Sequence, residues 1–258
     1  NGESREYNDR GNLTGIVYYK DNEINGEARE FTETGVLYAI WNYKNGEKEG
    51  VSRIFYDNGR EEWILNFKAG ETNGGGKRFS KTGALLLEAE YKDNQYDGLV
   101  REYSQLGKIK SDCFYKEGVK DGLCKEYHPN GKPWIEWHYE ADEKQGLAKE
   151  YRDSGALWME VTYKKDKQNG KMREYYPNAK VKKEWEVLEG VQDGASKSFY
   201  ETGELMSDEF YLAGKLQGEV RLYNKSGEIA YIDTYDHGVK IKRKGFDPRG
   251  KMEFEQNY

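Results

Sequence analysis

Few side chains in this sequence are spaced for chemistry. The stretch GGGKRFSKTG, from Gly74 to Gly83, comes nearest to a phosphate-cradling loop, in which glycines let backbone N–H groups approach phosphate and a lysine follows directly. Ser80 stands before Lys81 where that loop needs glycine, and no helical run follows, so no nucleotide site is expected. His128, His138 and His237 share no metal-ligand spacing, and two thiols, Cys113 and Cys124, are too few for a zinc site or a disulfide framework. No nucleophile recurs beside a base. The expectation is no catalytic residue, no cofactor and no metal. What is left to explain is an abundance of carboxylates and large aromatic side chains.

Those side chains belong to a chain of 258 residues that is 36% hydrophobic and 34% charged, a balance close to disorder but for its 14% aromatic content. Twenty-two tyrosines bring apolar area with a polar tip, which suits a thin, extended fold better than a thick aliphatic core. The formal charge of −6, with both signs interspersed, argues against nucleic acid and against an anionic membrane surface, since each calls for a basic face. No run of 18 apolar residues is present to span a bilayer. The chain opens at Asn1 rather than Met, which fits a trimmed or processed form, soluble in the cytoplasm or exported with its signal removed.

The elements that position these residues are read from a period. Glycine recurs at 2, 26, 50, 74, 98, 122, 146, 170, 194 and 218, a spacing of 24. With each of these glycines as repeat position 1, position 6 is always aromatic, from Tyr7 and Phe31 to Tyr223, and position 4 is basic in all ten copies. Position 10 is glycine in nine copies, with Ala179 the exception; position 12 is mostly aliphatic, and position 18 is tyrosine in eight. A shortened eleventh copy occupies about 241–258, so that one array fills residues 1–258.

A unit of this length with two glycine-bearing turns holds two short strands and no helix. Segments such as Asp57-Asn58-Gly59 and Pro129-Asn130-Gly131 suit a three-residue hairpin loop with a left-handed glycine. Centring the loop on position 9 predicts that position 6 faces 12, 4 faces 14 and 2 faces 16. The even positions would then share one face, with the position-4 bases lying across the rings at 16 and 18. In that register Cys113 and Cys124 flank a short turn on neighbouring strands but point to opposite faces, which counts against a cross-strand disulfide. The fold class is all-β: an elongated, twisted single-layer antiparallel sheet of about 20 to 22 strands, each repeat touching only its neighbours.

The segment GLCKEYHPNGK carries the pattern G-x-x-[RK]-E-[YF]-x-x-x-G, and GVSRIFYDNGR, with Ile54 for the acid, and GKMREYYPNAK, with Ala179 for the last glycine, follow it elsewhere; the pattern resembles the bacterial variant of the membrane occupation and recognition nexus (MORN) repeat. The resemblance runs through nearly the whole chain. It implies a β-array used for protein–protein contacts and scaffolding, and it extends to bacterial relatives described as antitoxins of toxin–antitoxin pairs. Local departures are Ala179 and Val187 in repeat 8, Pro133 in repeat 6, and Gly75 with Gly76, which thin repeat 4.

Columns that build the fold are poor candidates for function, so attention falls on the odd positions, which change along the array. Position 15 carries Ile16, Ile40 and Ile64 in repeats 1 to 3, then Glu88, Asp112, Glu136, Glu160 and Glu184 in repeats 4 to 8. With position 5 (Glu102, Glu126, Glu150, Glu174) these acids form a stripe beside Trp134 and Trp158 at position 13, a candidate site for a basic protein partner such as a toxin. Ordinary solvated carboxylates and cross-strand tryptophan packing explain the same residues without a partner. The Ile stripe is either an apolar contact patch for a partner or a second copy, or is covered where the ribbon folds on itself. Two functions follow: a protein-binding module of antitoxin or immunity-inhibitor type, and a structural scaffold acting through self-assembly.

Overall fold

The computed structural model describes residues 1–258, in two compact units, Asn1–Gly131 and Lys132–Tyr258. The chain is all-β, with 27 strands and no helix. Inside each unit the pairing is antiparallel between strands adjacent in the chain, as in Gly26–Phe31 with Leu37–Lys44 and Gly170–Tyr175 with Val181–Leu188, except that two-residue strands such as Glu23–Ile24 pair only backwards and are followed by a strand, here Gly26–Phe31, that pairs with the same Leu13–Lys20.

Two turn chemistries alternate. The first is the expected three-residue loop: Asn8 N–H donates to Asn12 O and Gly11 N–H to Asn8 O, each at 2.9 Å, with Gly11 left-handed at φ 80°. Ala179, the one non-glycine at this place, is also held left-handed, at φ 65°. The second is a two-residue turn with positive φ at both residues, such as Asp93 (50°) and Asn94 (67°), whose twist matches that of the flanking strands. Just after it, the glycine of position 1 sits at a bulge. Opposite Glu90, for instance, stand the three residues 97–99, with Gly98 at φ 122°. A Cβ on Gly98 would also lie 3.0 Å from the Glu90 Cβ, so glycine is required twice over.

The register departs from expectation one residue beyond the first loop. Position 6 does face position 12, as Tyr7 faces Leu13, but next Glu6 faces Gly15, Arg5 faces Ile16 and Ser4 faces Val17. The residue at position 13 is bulged out of the ladder, and the same shift recurs in other repeats of both units. Because side chains alternate with period 2, one bulged residue carries every later residue of the second strand to the other face. The predicted pairings of 4 with 14 and 2 with 16 are thereby corrected to 4 with 15 and 3 with 16.

The correction relocates the core. Position 3 becomes the buried column, as Ala28, Ser52, Val100, Cys124, Ala148, Met172, Ser196 and Val220, set against position 16. In the second unit Met172 is buried with Val161 and Val187 against Met159, Tyr163 and Trp185. In the first unit Tyr91, Tyr96 and Tyr115 pack as tilted rings with centroids 5.0 and 5.4 Å apart. Burial, and then the Tyr96 hydroxyl, push the Tyr91 phenol well above the usual range. Cys113 and Cys124 are one of these 16/3 pairs. They face each other directly at a Cα separation of 4.1 Å and are joined in a disulfide, contrary to the opposite-face placement expected from sequence. The cations over the rings also differ: Lys48, at position 23, lies 3.3 Å from the Trp41 centroid, and Lys144 lies 4.8 Å from that of Trp137.

Candidate protein-binding surface

With position 15 facing position 4, the bases and acids of these two positions share one row within each unit. In the first unit Lys77 meets Glu88 at 2.8 Å and Arg101 grips Asp112 through two hydrogen bonds of 2.7 and 3.0 Å. In the second, Arg173 reaches Glu184 at 3.5 Å and Glu160 at 3.7 Å. Position-6 tyrosines close the row, Tyr103 donating to Glu88 at 2.6 Å, Tyr151 to Glu136 at 3.2 Å and Tyr175 to Glu160 at 2.7 Å. The Lys77 ammonium, followed by the Tyr103 hydroxyl, holds Glu88 below the usual carboxylate range. Exposed pairs of this kind contribute about 0 to 1 kcal/mol each, so the row adds little to stability. Its main consequence is that Glu88, Asp112, Glu160 and Glu184 are already paired with bases of the chain's own.

Ile16, Ile40 and Ile64 occupy acid places in this row. Each lies half-buried between two position-4 bases, as Ile40 does between Arg29 and Arg53. The bases turn elsewhere: Arg5 to Glu3 at 2.6 Å, Arg29 to Glu27 at 2.7 Å and Arg53 to Glu61 at 3.0 Å. The three isoleucines are therefore separated by arginines rather than forming a continuous stripe.

The carboxylates grouped on one face by the sequence fall on two. Asp112, Glu136, Glu160 and Glu184 belong to the charged row, whereas Glu102, Glu126, Glu150 and Glu174 at position 5 belong to the opposite face. That face also carries position 13, since Lys182 reaches Glu174 at 2.9 Å and Lys110 reaches Glu102 at 3.9 Å. Of the two tryptophans at position 13, Trp134 is 42% exposed, and Trp158 is half-buried with Arg152 5.7 Å from its centroid.

The sequence did not single out the row beside the charged one, where position 17 faces position 2. Here Tyr18, Val51 and Phe114 are exposed in the first unit, and Leu147 and Phe210 in the second. Open grooves recur in this row. One of about 710 Å³ lies around Gly75, lined by Ile64, Asn66, Phe79, Glu90 and Leu99 among others. In the second unit one of about 410 Å³ lies between His138 and Leu147, and one of about 150 Å³ between Lys171 and Glu186. All three combine positions 15 and 17 of one repeat with positions 2 and 4. A fourth groove, of about 410 Å³, lies on the other face over Trp41 and Tyr43, where Gly15 and Ala28 leave room. No group of three or more His, Cys, Asp or Glu side chains is placed to hold a metal ion.

A model of the MORN repeat variant family matches residues 1–21, 24–45, 96–117, 120–141, 144–165 and 192–213, together about half the chain. Gly75 and Ala179 lie outside these matches, as do the whole of the repeats that begin at Gly50 and Gly218. No curated protein matches the sequence. Among solved structures, the crystal structure of TcdB2-TccC3 aligns at 10% identity and a TM-score of 0.23, over 99% of this chain and 18% of that one. That of TcdB2-TccC3-Cdc42 aligns at 9% identity and a TM-score of 0.23, over 99% and 17%. The chain spans less than a fifth of either, and alignments at that score carry no argument.

Proposed function

Because this chain belongs to the MORN repeat variant family, we propose that it is a non-catalytic protein-binding module whose partner lies against the face that bears the charged row. The observation that carries this reading is the recurrence of grooves at the same repeat positions in both units, beside exposed side chains such as Phe114 and Leu147. Interfaces draw affinity from desolvated apolar and aromatic anchors, with paired charges contributing register and selectivity. The net charge of −6 favours a basic partner, and an antitoxin or immunity-type inhibitor is the finer form of the proposal. The opposite face, with Trp134, Trp158, Glu150 and Glu174, is the competing surface.

Affinity capture from the source cells with three forms of the chain separates these surfaces. The expected result is one stoichiometric, net-basic protein, lost with Phe114→Ser plus Leu147→Ser and kept with Trp158→Ala plus Glu150→Lys. The inhibitor form further requires that the captured protein regain activity when released. Retention by the first variant and loss by the second would move the site to the opposite face.

A further inference from the structure

The groove around Gly75 owes its existence to one missing side chain. Position 2 carries valine at Val51 and leucine at Leu99, which flank the charged row; between them Gly75 leaves a gap floored by Ile64 and walled by Phe79 and Leu99. Gly75 is not left-handed, and a Cβ built on it meets only Glu90 Oε1, at 3.7 Å. The backbone therefore does not require glycine here, and the gap is space that a side chain of the protein's own would fill.

The polar groups at the gap that are left without a partner are acceptors. Lys77 and Arg101 are engaged by Glu88 and Asp112. Glu90 leans over the gap with no ion-pair or hydrogen-bond partner, and Asn66 spends its Nδ2 on Gly75 O at 3.0 Å, leaving its Oδ1 as a further acceptor. An apolar channel ending in a carboxylate and an amide oxygen matches a long aliphatic stem with a cationic head. We infer that the Gly75 groove is an anchor site for a lysine or arginine side chain presented by an extended segment of a partner protein. The inference rests on the binding-module reading and names the chemistry of its anchor.

The probe is the peptide acetyl-Thr-Ser-Lys-Ser-Thr-amide, titrated into the full ¹⁵N-labelled chain, with counterparts bearing norleucine or glutamate in place of lysine. Saturable shifts confined to the Gly75 backbone amide, the Asn66 side-chain amide and their neighbours are expected with lysine. Norleucine, which keeps the stem, should bind about fivefold more weakly, the worth of one exposed ion pair, and Glu90→Gln should weaken the lysine peptide to the same extent. Gly75→Leu, checked for folding by its denaturation midpoint, should abolish the shifts. Absence of saturable shifts at these groups, equal binding of norleucine, or unchanged binding to Gly75→Leu would overturn the inference. Partner capture that survives Gly75→Leu would overturn this anchor alone, whereas its loss with Phe114→Ser plus Leu147→Ser reads the module as a whole.

Discussion

Gly75 and Gly76 are adjacent, lie in one strand, Glu71–Phe79, and point to opposite faces, so that alanine at each place tests the register directly. On Gly76 a new Cβ would stand 2.6 Å from Tyr91 Cε2 and 3.0 Å from Leu65 Cδ2. The Tyr91 ring has little room to yield, because it packs against Tyr96 at 5.0 Å. Overpacking of that kind costs about 1 to 3 kcal/mol. On Gly75 the Cβ meets only a flexible carboxylate at 3.7 Å. Gly→Ala at a compatible backbone should there stabilise by about 0.4 to 1 kcal/mol, through the lower entropy of the unfolded chain. Chemical denaturation followed by tyrosine and tryptophan fluorescence gives both midpoints, and hydrogen exchange over residues 61–103 localises the effect, since each repeat leans only on its neighbours. Without the bulge at position 13, position 2 would point at the rings and position 3 away from them. The order of the two variants would then reverse, and a more stable Gly76→Ala beside a destabilised Gly75→Ala would refute the register.

Other outcomes follow from the same geometry. Removing the Cys113–Cys124 bond, which closes a sequence separation of 11, should cost up to about 3 kcal/mol by loop entropy and should raise exchange mainly in the strands Ile109–Lys116 and Val119–Tyr127. Asp233 is buried at 2% exposure; burial alone would raise its carboxyl, but Arg243 at 2.6 Å and Lys240 at 2.8 Å outweigh that and hold it below its ordinary 3.8. Its contribution should thus be complete above pH 3.8 and be lost as pH falls through the depressed value, a fall in denaturation midpoint that Asp233→Asn should flatten. Arg243→Met, which leaves that carboxylate to Lys240 alone, should cost up to about 3 kcal/mol near neutral pH in the same assay. Ile40→Glu should place an acid between Arg29 and Arg53 and change stability by less than about 1 kcal/mol, the range of an exposed ion pair.

Much of the fold is legible in the sequence because backbone geometry selects residue type. Glycine at position 1 and position 10 marks places where φ is positive, and the aromatic of position 6 and the tyrosine of position 18 mark the rows that pack. The bulge left no such mark. Position 13 holds Thr14, Tyr38, Glu62, Lys110, Trp134 and Trp158 in different repeats, since a residue pushed out of a ladder is under little constraint of type. Two signals do betray the register. Acids at position 15 complement bases at position 4, and where isoleucine takes the acid's place at Ile16 and Ile40, Glu3 and Glu27 appear at position 2 to receive the arginine. The paired thiols are the other, for Cys113 and Cys124 can bond only if positions 16 and 3 face each other. Gly75 reads in sequence as a weak repeat because its effect is a volume, and volume depends on which neighbours share its face.

The claim that the charged-row face receives the partner is tested most directly by photo-crosslinking. p-Benzoylphenylalanine is placed within the second unit, at Leu147 on that face or at Trp158 on the other, and each chain is irradiated with the captured partner. Cross-linking from position 147 with none from position 158 is the predicted result; cross-linking from position 158 with none from 147 would contradict the account.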